Sequence, residues 1–368
     1  MKWSLKIGEV RGISVYMHAT FLVLIGFIAL SHWSAGESFG NTLEGVGFIL
    51  ALFSCVVLHE FGHALMAARF GIKTRDITLL PIGGVARLER MPEEPLQELW
   101  VALAGPAVNV VIATVLLAWL LLVSEFAPLS QLNVTSGPFL QRLMVVNVML
   151  VFFNMLPAFP MDGGRVLRAV LATRLEYAHA TQIAANIGQA LALLFALLGF
   201  FTNPFLMFIA LFVWIGAAQE AGMATMKAAL EGIPVKRAMM TDFRSLHPGD
   251  SLQRAVELIL ATPQRDFPVV DEARVVGIIP SRDLMVALQK HGLSTLVGDV
   301  MRRDFLLLDA NDMLDAALDR IHAAEYGMTV PVMYRDSLVG LLTSENVGEF
   351  LLIVSALGER RTKGATVP

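Results

Sequence analysis

Long apolar runs near 14–33, 46–69, 97–123, 139–157, 181–201 and 204–223 fill most of the first two thirds of the chain. Each is close to the ~20 residues a helix needs to cross the hydrocarbon core of a bilayer, so six transmembrane helices are predicted. Only Thr202-Asn203-Pro204 separates the last two, which read as a tight helical hairpin because proline favours a fresh helix start. After about Gly222 the pattern changes. Apolar positions follow helix period over 252–260 and strand-like runs over 267–270 and 275–279, which predicts a soluble α/β part.

That soluble part repeats itself after about 62 residues. The stretch from Val235 to Phe243 returns as Val297 to Phe305. Pro268-Val269 with Val276-Gly277-Ile278 returns as Pro331-Val332 with Val339-Gly340-Leu341. A tandem βαββα module is predicted. The expected organisation is a membrane domain over 1–224, a first repeat over 225–292, and a second repeat with the C-terminal tail over 293–368.

Composition sharpens the class. The 368 residues are 55% hydrophobic and 16% charged, with mean hydropathy +0.63, which points to lipid as solvent and to a polytopic membrane protein. The net charge of −4 comes with no basic stripe, so no nucleic-acid partner is expected. A single cysteine, Cys55, leaves no disulfide framework and no cysteine-rich metal site. No small-residue cleavage site follows the N-terminal Met1-Lys2-Trp3, so the first apolar run is expected to stay as a span.

Lysines and arginines sort by connection. Lys2, Lys6 and Arg11, then Arg69, Lys73, Arg75, Arg87 and Arg90, then Arg165, Arg168 and Arg174, then Lys227, Lys236 and Arg237 fall on one side. The alternate connections 34–45, 124–138 and 202–203 carry none, and Arg142 is the only basic residue near that face. Positive loops stay in the cytoplasm, so both termini and the repeat module are predicted cytoplasmic, in a multi-pass protein of the plasma membrane.

The second apolar run ends in Leu58-His59-Glu60-Phe61-Gly62-His63, an HExxH on a helix. Histidines four apart share one helical face. Both imidazoles can bind one zinc ion while Glu60 stands beside it as general base. The setting strengthens the signal, since an acidic side chain at the centre of a span costs roughly 2.5–3.5 kcal/mol on insertion scales. A catalytic zinc keeps three protein ligands, and Asp162, at the cytoplasmic end of the fourth run, is the best third candidate. The run there is broken by Pro157 and Pro160. N-capping of a helix that starts at Gly163 is an alternative duty for Asp162, compatible with the first.

HExxH, Gly105-Pro106-x-x-Asn109 and Asn154-x-x-Pro157-x-x-Pro160-x-Asp162-Gly163-Gly164 together resemble the site-2 protease family over roughly residues 10–225. The tandem repeat resembles a pair of CBS domains, which one branch of that family carries. The resemblance implies His59, His63 and Asp162 as zinc ligands, Glu60 as catalytic base, and a transmembrane substrate helix that must unwind. Met161 stands where the family usually has leucine, a volume-conserving change. The fold implied is a polytopic α-helical membrane protein with six transmembrane helices and a short membrane-associated β-hairpin, joined to a soluble α/β tandem CBS module.

Other residues admit two readings. Asn154 is a candidate to hydrogen-bond the scissile carbonyl, and Asn109 to pin a helix junction; asparagine also bridges membrane helices without chemistry. The segment Thr78 to Leu88, with short apolar runs around Gly83-Gly84, reads as a hairpin whose edge strand can capture an extended substrate, or as a plain loop. His18 borders the first span. CBS pairs often bind ATP, ADP or AMP. Their ribose contact, Gly-x-x-Thr/Ser-x-x-Asp, survives only in part, as Asp283 after Gly277 and as Thr343 after Gly340, where Asn346 replaces the aspartate. Homodimerisation through the CBS pair is a further expectation. The competing class is a CBS-gated cation transporter, which Glu60, a glutamate that is not a ligand, argues against.

Overall fold

A computed structural model describes residues 3–36, 38–81, 83–89, 92, 94–123, 137–324 and 329–364. The expected outward connection 124–138 therefore lies almost wholly outside the described residues, and Ile82 of the expected hairpin lies outside them too. The chain forms two compact units, Met1–Ala224 and Thr225–Pro368.

The first unit begins with strands β1 (Ser4–Val10) and β2 (Ile13–His18), then helices α1 (Ala19–Ser34) and α2 (Phe39–Arg69). A hairpin follows, β3 (Thr74–Leu80) and β4 (Gly83–Leu88). Five helices are described after it: α3 (Pro95–Leu122), α4 (Phe139–Asn154), α5 (Asp162–Ala172), α6 (Tyr177–Phe201) and α7 (Phe205–Leu230). The strands form one sheet in the order β1-β2-β3-β4, with β2 parallel to β3 and the α1–α2 pair as their crossover.

Four helices, α2, α3, α6 and α7, are long and apolar enough to cross a membrane among the described residues. The runs at 14–33 and 139–157 give shorter helices. Residues 13–18 are taken by β2, where Ile13 and Val15 are buried and Ser14 and Tyr16 less so, the alternation of a half-buried strand. His18 then caps α1, its ring accepting the Thr20 N–H at 3.3 Å. Helix α4 stops at Asn154, ahead of Pro157 and Pro160. At ~1.5 Å per residue each 16-residue helix reaches about 24 Å, short of the ~30 Å core.

Helix α3 is the centre of the unit, packed against α2, α4 and α5. Its inward face carries Val101, Ala102, Gly105, Pro106, Asn109 and Ala113, all buried. Its outward face exposes Val111, Val115, Trp119 and Leu122, a stripe that requires an apolar solvent. Small inward residues let the neighbouring backbones close in.

The second unit contains two similar halves. The first holds α8 (Leu252–Ala261), β5 (Phe267–Asp271), β6 (Arg274–Ile279) and α9 (Ser281–His291). The second holds α10 (Val297–Val300), β7 (Leu308–Asp309), α11 (Leu314–Ala324), β8 (Val330–Tyr334), β9 (Ser337–Leu342) and α12 (Ser344–Gly364). Register repeats as the sequence does, with Val269 opposite Gly277 and Val332 opposite Gly340. The halves exchange their leading segments. Val235 and Ala238 pack in the core of the second half, while Val297 and Met301 pack in that of the first.

Candidate active site

Helix α2 presents His59 and His63 one turn apart on its buried face, and the first residue of α5, Asp162, meets them from the other side. The three side chains are buried and their ligand atoms lie within 4.8 Å of one another. The Nε2 atoms of the two histidines are 3.0 Å apart, and each is 3.2 Å from Asp162 Oδ2. Donor atoms held ~2.0–2.1 Å from a tetrahedral zinc stand roughly 3.3 Å apart, which is the observed spacing.

The tautomers follow from the partners. His63 Nδ1 donates to the Val101 carbonyl at 2.7 Å, and His59 Nδ1 donates to Asn109 Oδ1 at 2.5 Å. Both Nε2 atoms therefore present lone pairs to each other and to a carboxylate oxygen. Three acceptors that converge in a buried place repel one another, and a divalent cation between them would satisfy all three. The residues fit zinc in type, number and spacing.

Two glycines make room. A side chain at Gly105 would place its Cβ 2.7 Å from His59 Nε2, so only glycine lets α3 lie against the ligand pair. A Cβ at Gly84 would meet Glu60 Cγ at 2.8 Å. Strand β4 thus runs directly beside Glu60, whose Oε2 accepts the Ala86 N–H at 3.1 Å. The β3–β4 pairing is antiparallel, with Ile77 opposite Ala86, and is braced by the Asp76–Arg87 ion pair across the strands at 2.5 Å.

Behind the site lies a network that the sequence reading did not anticipate. Arg168 of α5 is buried, paired with Glu98 of α3, and reaches Glu220 of α7 at 3.0 Å. Its guanidinium also covers the rings of Phe159 and Tyr177, at 5.0 and 4.9 Å. These contacts fix α5 and the irregular turn that delivers Asp162. Charged residues inside apolar segments were the available signal, since such groups survive there only when paired.

Of the other predicted residues, Asn154 ends α4 and is half-buried, and His18 serves as a helix cap outside the ligand cluster. Asp283 pairs with Arg302, through Nε and through Nη2 at 3.0 Å; that hydrogen bond and its charge raise the Arg302 pKa above the ordinary arginine value. Thr343 caps α12, its Oγ1 accepting the Asn346 N–H at 3.1 Å.

A helix-borne HExxH completed by a carboxylate from a separate element, set among apolar helices, defines a membrane-embedded zinc metalloprotease. The family comparisons agree: the model for peptidase family M50 matches residues 47–135 and 128–195, and that for the CBS domain matches 235–290 and 297–352. Zinc metalloprotease MJ0392 of Methanocaldococcus jannaschii is 34% identical over 89% of this chain and 92% of its own. The Synechocystis protein named "Putative zinc metalloprotease sll0528" is 26% identical over 94% of this chain and 95% of its own. Among solved structures, the site-2 protease from Methanocaldococcus jannaschii is 39% identical, covers 60% of this chain and 95% of that one, and superposes with a TM-score of 0.45.

The chain belongs to peptidase family M50. It is an intramembrane zinc metalloprotease of the site-2 type with a tandem CBS module, and its family does not favour the transporter alternative.

Proposed function

We propose that the protein hydrolyses a peptide bond within or beside a transmembrane segment of a regulatory membrane protein, with His59, His63 and Asp162 holding the zinc. The convergence of three acceptor atoms at 3.0–3.2 Å is the observation that carries this reading. Zinc, when bound, supplies Lewis acidity that makes water nucleophilic near neutral pH. Glu60 acts as general base and then passes the proton to the leaving amine. Asn154, half-buried at the end of α4, hydrogen-bonds the scissile carbonyl as negative charge develops there.

Strand β4 orders the substrate. In an antiparallel pair, backbone groups point alternately toward and away from the partner, so the Ala86 N–H that meets Glu60 lies on the free edge of β4. An unwound substrate added to that edge is held extended beside the base, as in β-augmentation. The hairpin then works at membrane depth, in a six-span protein whose termini are cytoplasmic. Arg142, the exception to the charge sorting, supports this orientation because Glu44 neutralises it at 2.6 Å.

The CBS pair is proposed to bind ATP, ADP or AMP through Asp283 and Thr343, and to pair with a second copy. Nucleotide alters proteolysis only by binding the active and inactive arrangements with unequal affinity.

The test is reconstitution in proteoliposomes with a transmembrane substrate, and mapping of the cut by mass spectrometry. A cut within or next to the span, lost on chelation and restored by zinc, is expected. Cleavage that survives complete zinc removal would overturn the reading.

A further inference from the structure

The two histidines are anchored differently. His63 Nδ1 ends directly on a backbone carbonyl, that of Val101, 2.7 Å away. His59 has no carbonyl of its own and ends on an amide side chain, Asn109. Behind it the bonds continue. Asn109 Nδ2 donates to Asn147 Oδ1 at 2.8 Å, and Asn147 Nδ2 donates to the Leu143 carbonyl at 2.8 Å. Both asparagines are 0% exposed, in the apolar helices α3 and α4.

Direction in this chain is set from its far end. A carbonyl only accepts, so Asn147 must turn its NH2 to Leu143 and its oxygen to Asn109. Asn109 must then turn its NH2 to that oxygen and its own oxygen to His59. The proton of His59 is thereby placed on Nδ1, which leaves Nε2 free to ligate. Reversal of either amide alone sets two acceptors or two donors face to face in a buried place. Leu143 does for His59, at two removes, what Val101 does for His63.

We propose that Asn147 is a positioning residue, which sets the tautomer and orientation of His59 through Asn109 and so determines zinc affinity. This rests on the zinc reading above. It also ties the metal site to α4, a helix that supplies no ligand.

The experiment compares zinc affinity, by chelator competition, in the full-length protein and two variants. Asn147→Leu fills the space but removes the acceptor, and should weaken zinc by about 10–100-fold. In Asn147→Asp the introduced carboxyl, neutral in apolar surroundings, donates to Leu143 and accepts from Asn109, so affinity should stay near wild type. A packing role predicts the opposite ranking, because leucine suits an apolar interface better. Asn147→Leu binding as tightly as wild type, or Asn147→Asp binding more weakly than Asn147→Leu, overturns the proposal.

A second measurement needs no variant at position 147 to fold. In zinc-free, ¹⁵N-histidine-labelled wild-type protein, with His59 assigned by its loss in His59→Gln, the proton should sit on Nδ1; a proton on Nε2 overturns the relay. Wild type that binds no zinc would sink the metal reading instead, and the ¹⁵N spectrum would still decide the relay.

Discussion

The carboxylate of Glu60 accepts the backbone N–H of Ala86 at 3.1 Å, although the two lie 26 positions apart on a helix and a strand. The proposed base and the proposed substrate-binding edge therefore share one hydrogen bond. A peptide that adds to β4 competes for that amide and leaves the carboxylate to the reaction.

Ala86→Pro tests this coupling, since proline has no N–H to offer either Glu60 or a substrate. Cleavage of a transmembrane substrate should fall at least tenfold while zinc content is unchanged, a loss of about 1.4 kcal/mol in transition-state stabilisation. Normal turnover by this variant would show that the β4 edge does not guide substrate.

Glu60→Gln separates base from ligand. It should keep zinc and lose cleavage by roughly 10²–10⁴-fold, the usual worth of a general base. His59→Ala and Asp162→Ala should lose metal and activity together. Metal analysis and proteolysis on the same preparations decide it, and substantial turnover by Glu60→Gln would remove the assigned role.

The Glu98–Arg168 pair is buried on both sides. Arg168→Leu should destabilise the membrane unit by about 3–5 kcal/mol, because a carboxylate is left without its counter-charge. The double substitution Glu98→Leu with Arg168→Leu should recover much of the loss, as apolar groups replace both charges. Thermal unfolding in micelles compares them; a double variant as unstable as the single would mean that Arg168 acts through Glu220 or through its ring contacts with Phe159 and Tyr177.

Nucleotide binding is checked by calorimetric titration of the full-length protein with ATP, ADP and AMP. Asp283→Ala should weaken the preferred nucleotide about tenfold, equivalent to ~1.4 kcal/mol. Saturable binding that is indifferent to this substitution would move the ribose site elsewhere.

The His59–His63 half of the candidate metal cluster was legible in the sequence because helix geometry is local. Residues four apart on a helix meet without help from the rest of the fold, so His59 and His63 announce themselves. Asp162 needed topology, namely that the second and fourth runs end on the same side. Strand β2 was hidden because Ile13, Val15 and Met17 merge with the apolar run that follows, and a short alternation next to a long hydrophobic stretch is outweighed by it. Asn147, Glu98 and Arg168 were hidden for another reason. Their partners lie 38 and 70 positions away, and only packing brings them together.

The exchange of leading segments in the CBS module has a consequence for descent. With Val235 and Ala238 lodged in one core and Val297 and Met301 in the other, deletion of either repeat strips lining residues from the surviving core and leaves the surviving leading segment without its own. A lone repeat is therefore expected to fold poorly, its core incomplete. On that packing the expected unit of descent is the pair and not the single repeat.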